Sequence, residues 1–172
     1  MKQFRAILIA TTLMTMVFGT AYVSLPGPTD ADEVFAEKFV QSFKRKDLRS
    51  IRSMMPGPDE WRLLAPKQTE GMTDAEIMAE VETSNEAKVA MHFHTLLQEA
   101  RAKKIKVREI EFNQMHLQKY HERPNTPMGM EILFDYEHFH GKFSLTVVEY
   151  QDEWFLLDIE HPDKTFETLR HL

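Results

Sequence analysis

The residues with the widest chemical range in this chain are its eight histidines, because imidazole exchanges a proton near neutrality and ligates zinc or copper. Spacing decides whether they act together. His92 and His94 stand two apart in a segment of helical period, so their directions differ by about 200°, whereas chelation from one helix needs a spacing of three or four. Both are expected at the margins of a buried stripe. His138 and His140 stand two apart on a strand, which favours one face, with His116 or His121 as a third ligand only if the long neighbouring strand passes close. No His-Glu-x-x-His run is present, and no metal or other cofactor is expected.

A general acid–base pocket is the second chemistry these residue types allow, drawn from Tyr136, Asp158, His116, Tyr120 and Asp135. Tyr136 has the inward parity of its strand, and Asp158 shares the parity of Trp154 and Leu156. The ordinary reading of a buried strand-end aspartate is a carboxylate satisfied by backbone donors, and it stands beside the catalytic one. Six glycines and no Gly-x-Ser-x-Gly leave no basis for a nucleophile elbow or a phosphate loop. The basic run Arg101 to Arg108 reads as a solvated helix end and link, with a partner surface as the alternative.

The frame for these residues is one domain: 172 residues, 42% hydrophobic, enough to bury a core without disulfides. The absence of cysteine excludes a thiolate metal site, a cysteine nucleophile and a lipidated N-terminal cysteine. With 27 acidic against 21 basic residues, nucleic acid is not an expected partner. Lys2 and Arg5 precede an uncharged stretch from Ala6 to Leu25, the order of an export signal. Residues 1–21 are read as a signal peptide cleaved after Ala21 or as an N-terminal anchor, and any membrane contact is confined to residues 6–25. Residues 22–29 form a spacer, and 30–172 a single α+β domain placed in the periplasm or secreted.

A helix is expected from an Asp30 cap, with Glu33 three residues on and Val34, Phe35, Phe39, Val40 and Phe43 on its buried stripe. Asp47 caps a short continuation holding Leu48, Ile51, Met54 and Met55, which Pro56-Gly57-Pro58 ends. Trp61, Leu63 and Leu64 then form a short apolar anchor. Thr73 and Glu76 make a second capping box opening a helical region to about Lys104, broken near Ser84. At 100° per residue, Val89, Leu96, Leu97 and Ala100 lie within about 60° of Phe93, and Met91 lies about 160° away. From Val107 the period is two, with a bend near Asn113 and Gln114, a turn at His140-Gly141 pairing Phe134 with Val147, and a last hairpin at Gln151-Asp152.

Phe39-Val40-Gln41-Ser42-Phe43 followed by Lys46-Asp47-Leu48, the helix containing Ser84 to Leu97, and the closing Tyr150-Gln151-Asp152-Glu153-Trp154-Phe155-Leu156 stand in an order that resembles the nuclear transport factor two-like (cystatin-like) superfamily. The resemblance covers residues 30 to 160 and implies helices packed on a bent, mainly antiparallel four-stranded sheet, a cone that in some members holds a pocket. It is nearest to small exported members without an assigned activity, and no catalytic role carries over. The expected function is an exported, non-catalytic domain that binds a small ligand or an envelope protein partner. The second reading is an exported hydrolase or isomerase using the acid/Tyr/His pocket, and the third is a metal-binding accessory protein. Strand alternation points Val148, Tyr150, Phe155, Leu157 and Ile159 away from the helices, an apolar patch that a homodimer, a partner or the tail around Phe166 and Leu169 would cover.

Overall fold

A computed structural model describes residues 30–118, 125–137, 139–166 and 170–171. The export segment and spacer lie outside the described residues, as do Tyr120, His121, His138 and Leu169. Helices pack with an antiparallel sheet in an α+β arrangement. Among the described residues no helix is long and apolar enough to cross a membrane.

Helix α1, Asp30–Arg45, buries Phe35, Ala36, Phe39, Val40 and Phe43 along one stripe. Val34 does not join them: it is 64% exposed, because it stands about 140° around the axis from Phe39. Asp47 caps α2, Leu48–Arg52, its Oδ1 accepting from the Ser50 N–H at 3.1 Å and its Oδ2 from the Ser50 hydroxyl at 2.6 Å. Those bonds favour the charged form and hold the Asp47 carboxyl below its ordinary pKa. Past Pro56-Gly57, the expected apolar anchor is itself a short helix, α3, Pro58–Leu64, with Leu63 exposed. Proline at its first position has no N–H to leave unpaired, and the Gly57 N–H donates to Glu60 Oε2 at 2.8 Å. A single turn, α4, Pro66–Thr69, leads to α5, Asp74–Val81, whose Thr73–Glu76 box closes reciprocally at 2.8 and 3.3 Å. The same bonds keep the Glu76 carboxyl below its usual value.

The break near Ser84 is a π-helical segment, Glu82–Glu86, where the Ser84 hydroxyl donates to the Glu80 carbonyl at 2.7 Å. Helix α6, Ala87–Ala102, follows with Val89, Phe93, Leu96 and Ala100 buried and Met91 exposed.

Strands β1 (Glu111–Gln118), β2 (Met128–Tyr136), β3 (Phe139–Tyr150) and β4 (Glu153–Glu160) form an antiparallel meander in chain order. A short β5, Arg170–His171, pairs with Phe139 and His140 at the start of β3, beyond the reach of β4. The bend in β1 is a register shift between Phe112 and Gln114. The final hairpin turns on Gln151 and Asp152, both with left-handed φ, 51° and 63°.

The β2–β3 register differs from expectation. Tyr136 pairs with Phe139 and Phe134 with Gly141, so the connection falls at 137–138, where Glu137 takes φ 52°. The displacement is by an even number of residues, which preserves every inward parity while moving the turn. Gly141 is needed inside the strand instead: a Cβ there would stand 2.3 Å from the Phe134 ring. A second shift, between Thr146 and Val147, gives β4 one extra residue at Leu157. Leu156 and Ile159 therefore both enter the core, and Ile159 is not an outward residue. Val148 is buried as well, while Tyr150, Phe155 and Leu157 are half-buried, so no open patch of five large side chains exists. The tail does not cover that face through Phe166, whose ring packs in the core against Phe43, Phe134 and Phe143.

That core is aromatic. Phe143 lies 5.5 Å from Phe39, 5.1 Å from Phe43 and 4.6 Å from Phe134 between ring centroids, and Phe43 lies 6.0 Å from Phe93. Each fully buried ring contributes about 1.5–3 kcal/mol, so the cluster joins α1, α6, β2 and β3 firmly. The outer edge of β4 is tied down too, since the Leu156 N–H donates to the Met54 carbonyl at 2.7 Å.

Candidate functional site

The acid/Tyr/His pocket does not assemble among the described residues. Tyr136 is buried, and its hydroxyl accepts from the Lys106 N–H at 3.2 Å. Asp158 pairs with Thr146 on β3 and Tyr136 with Phe139, seven positions apart along β3, about 23 Å of strand. His116 is exposed on β1, opposite Glu131. Between the helices and the sheet, the Phe39, Phe43, Phe134 and Phe143 rings pack against one another.

Two histidine–aspartate pairs do form. The extra residue at Leu157 turns the Asp158 carboxylate onto α6, where Oδ1 meets His92 Nδ1 at 2.9 Å and Oδ2 accepts from Lys88 Nζ at 2.7 Å. Asp158 Oδ1 also accepts from the Ile159 N–H at 2.8 Å. On the sheet surface His140 Nδ1 contacts Asp135 Oδ1, and Asn113 Nδ2 donates to Asp135 Oδ2 at 2.9 Å. An aspartate on Nδ1 orients an imidazole as a base, but among the described residues neither ring bonds a hydroxyl nucleophile. No three His, Asp or Glu among them converge as a metal site.

A concavity of a different kind lies between the C-terminal ends of α1 and α6 and the link into β1. Its volume is about 730 Å³. Both helices end in the same manner: Lys46 and Lys104 take φ 57° and 59°, and the following N–H groups return to the Ser42 and Ala100 carbonyls at 2.9 and 2.8 Å. The link then alternates. Ile105 and Val107 turn into the core, at 8% and 7% exposure, so Lys104, Lys106 and Arg108 turn out toward the hollow. The Tyr136 hydroxyl holds the link against the sheet through Lys106 N–H, which gives this sequence candidate a positioning role. Leu97, Gln98, Arg101 and His94 supply the α6 wall, and Lys46 the α1 wall.

Five cations and one acid, Glu109, line the cleft. Glu109 pairs with Lys106 Nζ at 3.1 Å and through that hydrogen bond raises the Lys106 pKa above its ordinary value. Lys46, Arg101, Lys104 and Arg108 make no ion pair among the described residues. Cations at helix C-termini suit the helix dipole, but each terminus carries only about half a negative charge, which leaves about three positive charges facing the hollow. That surplus can hold carboxylates or phosphates.

Read alone, the 101–108 run gave no sign of its partners across the cleft, because Lys46 follows the end of another helix and His94 stood out only as one of a non-chelating pair. The mixed run Lys104-Ile105-Lys106-Val107-Arg108 was the available signal, but Val107–Glu109 is a single 3-10 turn and the two-residue period begins only at β1, not at Val107 as expected. Comparison with known proteins finds no matching family model, no matching curated protein and no matching solved structure.

Proposed function

We propose that the chain is an exported, non-catalytic binding domain of the nuclear transport factor two-like kind, which holds an anionic ligand or partner in the cleft between the ends of α1 and α6. One observation carries this reading: a concavity of about 730 Å³ gathers five cations in a chain of net charge −6. Diffuse negative charge elsewhere keeps the domain soluble and off anionic surfaces, while the local positive hollow selects what docks. The non-catalytic part rests on the fate of the acid–base candidates. Tyr136 and Asp158 are engaged by partners that position backbone and helix. Export rests on the charged start and the uncharged stretch from Ala6 to Leu25.

Calorimetric titration of the purified protein with inorganic tripolyphosphate at low ionic strength tests the reading. Binding is expected to weaken as salt rises and to disappear in Arg101→Glu plus Lys104→Glu. No heat at low salt, or binding unchanged in that variant, contradicts it.

A further inference from the structure

Resting on that reading, we infer that the cleft's ligand is an acidic peptide segment of another protein, one that alternates carboxylates with aliphatic side chains. Three features of the hollow select this class. The unpaired cations come from separate stretches of chain, Lys46 on one wall and Arg101, Lys104 and Arg108 on the other, around a hollow of about 730 Å³, so an extended polyanion suits them better than a single small anion. The lining between them also offers aliphatic carbon, chiefly the half-buried Leu97 and the lysine and arginine stems, with Ile105 and Val107 showing only their edges. A purely ionic ligand would leave that carbon wet. A leucine-sized side chain laid on it gains affinity without disturbing the ion pairs.

Gln98 adds the third feature. It stands one turn before Arg101 on the cleft wall, exposed, with no hydrogen bond among the described residues. A primary amide offers one acceptor and two donors, the complement of a main-chain peptide group. Nucleic acid fits worse, because no Phe, Tyr or Trp lines the cleft to stack a base. The net charge of −6 also opposes a long phosphate backbone.

Fluorescence anisotropy on the full chain distinguishes the classes, using labelled short peptides of alternating glutamate and leucine, glutamate and serine, or lysine and leucine, and a single-stranded oligonucleotide of equal charge. The glutamate–leucine peptide is expected to bind about tenfold tighter than glutamate–serine, the gain from burying one aliphatic side chain. It is also expected to weaken about tenfold or more in Arg101→Glu plus Lys104→Glu, while Gln98→Ala lowers the affinity of both acidic peptides alike. Equal affinity for the two acidic peptides overturns the amphipathic segment while leaving anion binding intact. Tripolyphosphate binding with neither acidic peptide binding overturns the peptide class and retains a small-anion cleft. A lysine–leucine peptide binding as well as glutamate–leucine, or the oligonucleotide binding more tightly than either, also overturns the inference. Silence from every probe, tripolyphosphate included, removes the binding cleft itself.

Discussion

At the start of α6 the charges are engaged: Glu86 pairs with Arg52 at 2.7 Å, Lys88 pairs with Asp158 on β4, and His92 Nδ1 bonds the same carboxylate. At its end, Arg101 and the two lysines that follow, Lys103 and Lys104, form no ion pair among the described residues, and Arg101 and Lys104 face a hollow. The same helix thus carries two kinds of charge. Those of the first kind fasten the helix to the sheet and are satisfied within the fold. Those of the second are held in place by their neighbours, Ile105 and Val107 in the core and Tyr136 at Lys106 N–H, yet form no ion pair among the described residues. Charge alone therefore does not mark a site. The proposed site rests on charge that is positioned around a concavity and left unpaired there.

The comparison breaks most severely at the shared middle of the helix. Phe93 is fully buried between the two ends and stands edge-on to Phe43, so Phe93→Ala is expected to cost about 3–5 kcal/mol in denaturant unfolding. A loss below about 1 kcal/mol would mean that α6 is not packed as described. At the fastened end, Asp158→Ala removes acceptors from His92, Lys88 and the Ile159 N–H, with an expected cost of about 1–3 kcal/mol by the same measurement. At the open end, Arg101→Glu plus Lys104→Glu is expected to cost about 1 kcal/mol or less, from the helix dipole, while abolishing anion binding. A large stability loss there would show that these cations are fastenings too.

The smallest effect is expected in acid. Asp47 and Glu76 both have pKa values lowered by hydrogen bonds that cap helices, chiefly from Ser50 and Thr73 respectively. A depressed carboxylate stabilises the fold above its unfolded pKa and loses that contribution as pH falls through the folded value. Stability followed by circular dichroism should therefore stay level from neutrality to about pH 5 and decline below about 4, and Asp47→Asn should flatten that decline. An unchanged acid profile in Asp47→Asn would remove the cap from the account.

Features set by neighbours in sequence were legible without the structure. The Asp47 and Thr73–Glu76 caps, the Phe93 stripe, the break at Ser84, the shift near Asn113 and the turn at Gln151-Asp152 each follow from a few adjacent residues. Long-range choices were less so. Alternation fixes which residues of β2 and β3 face inward but not which rung they share, so the Phe134–Gly141 pairing and the turn at 137–138 depended on ring packing. In β4, Leu156 and Leu157 are both apolar, and nothing local marks the second as the extra residue that carries Asp158 onto α6 and Ile159 into the core. Half of the cleft was visible as the Arg101–Arg108 run. The other half, Lys46, meets it only because two helix ends come together.

Amide chemical-shift mapping of the purified protein, titrated with the glutamate–leucine peptide, sets the two ends of α6 directly against each other. Saturable shifts are predicted at Lys46, at His94 to Arg101 and at Lys104 to Glu109, with Glu86 to His92 and Asp158 unmoved. Shifts centred on Asp158 and His92, or spread evenly over the surface, would contradict the assignment of binding to the unpaired cations.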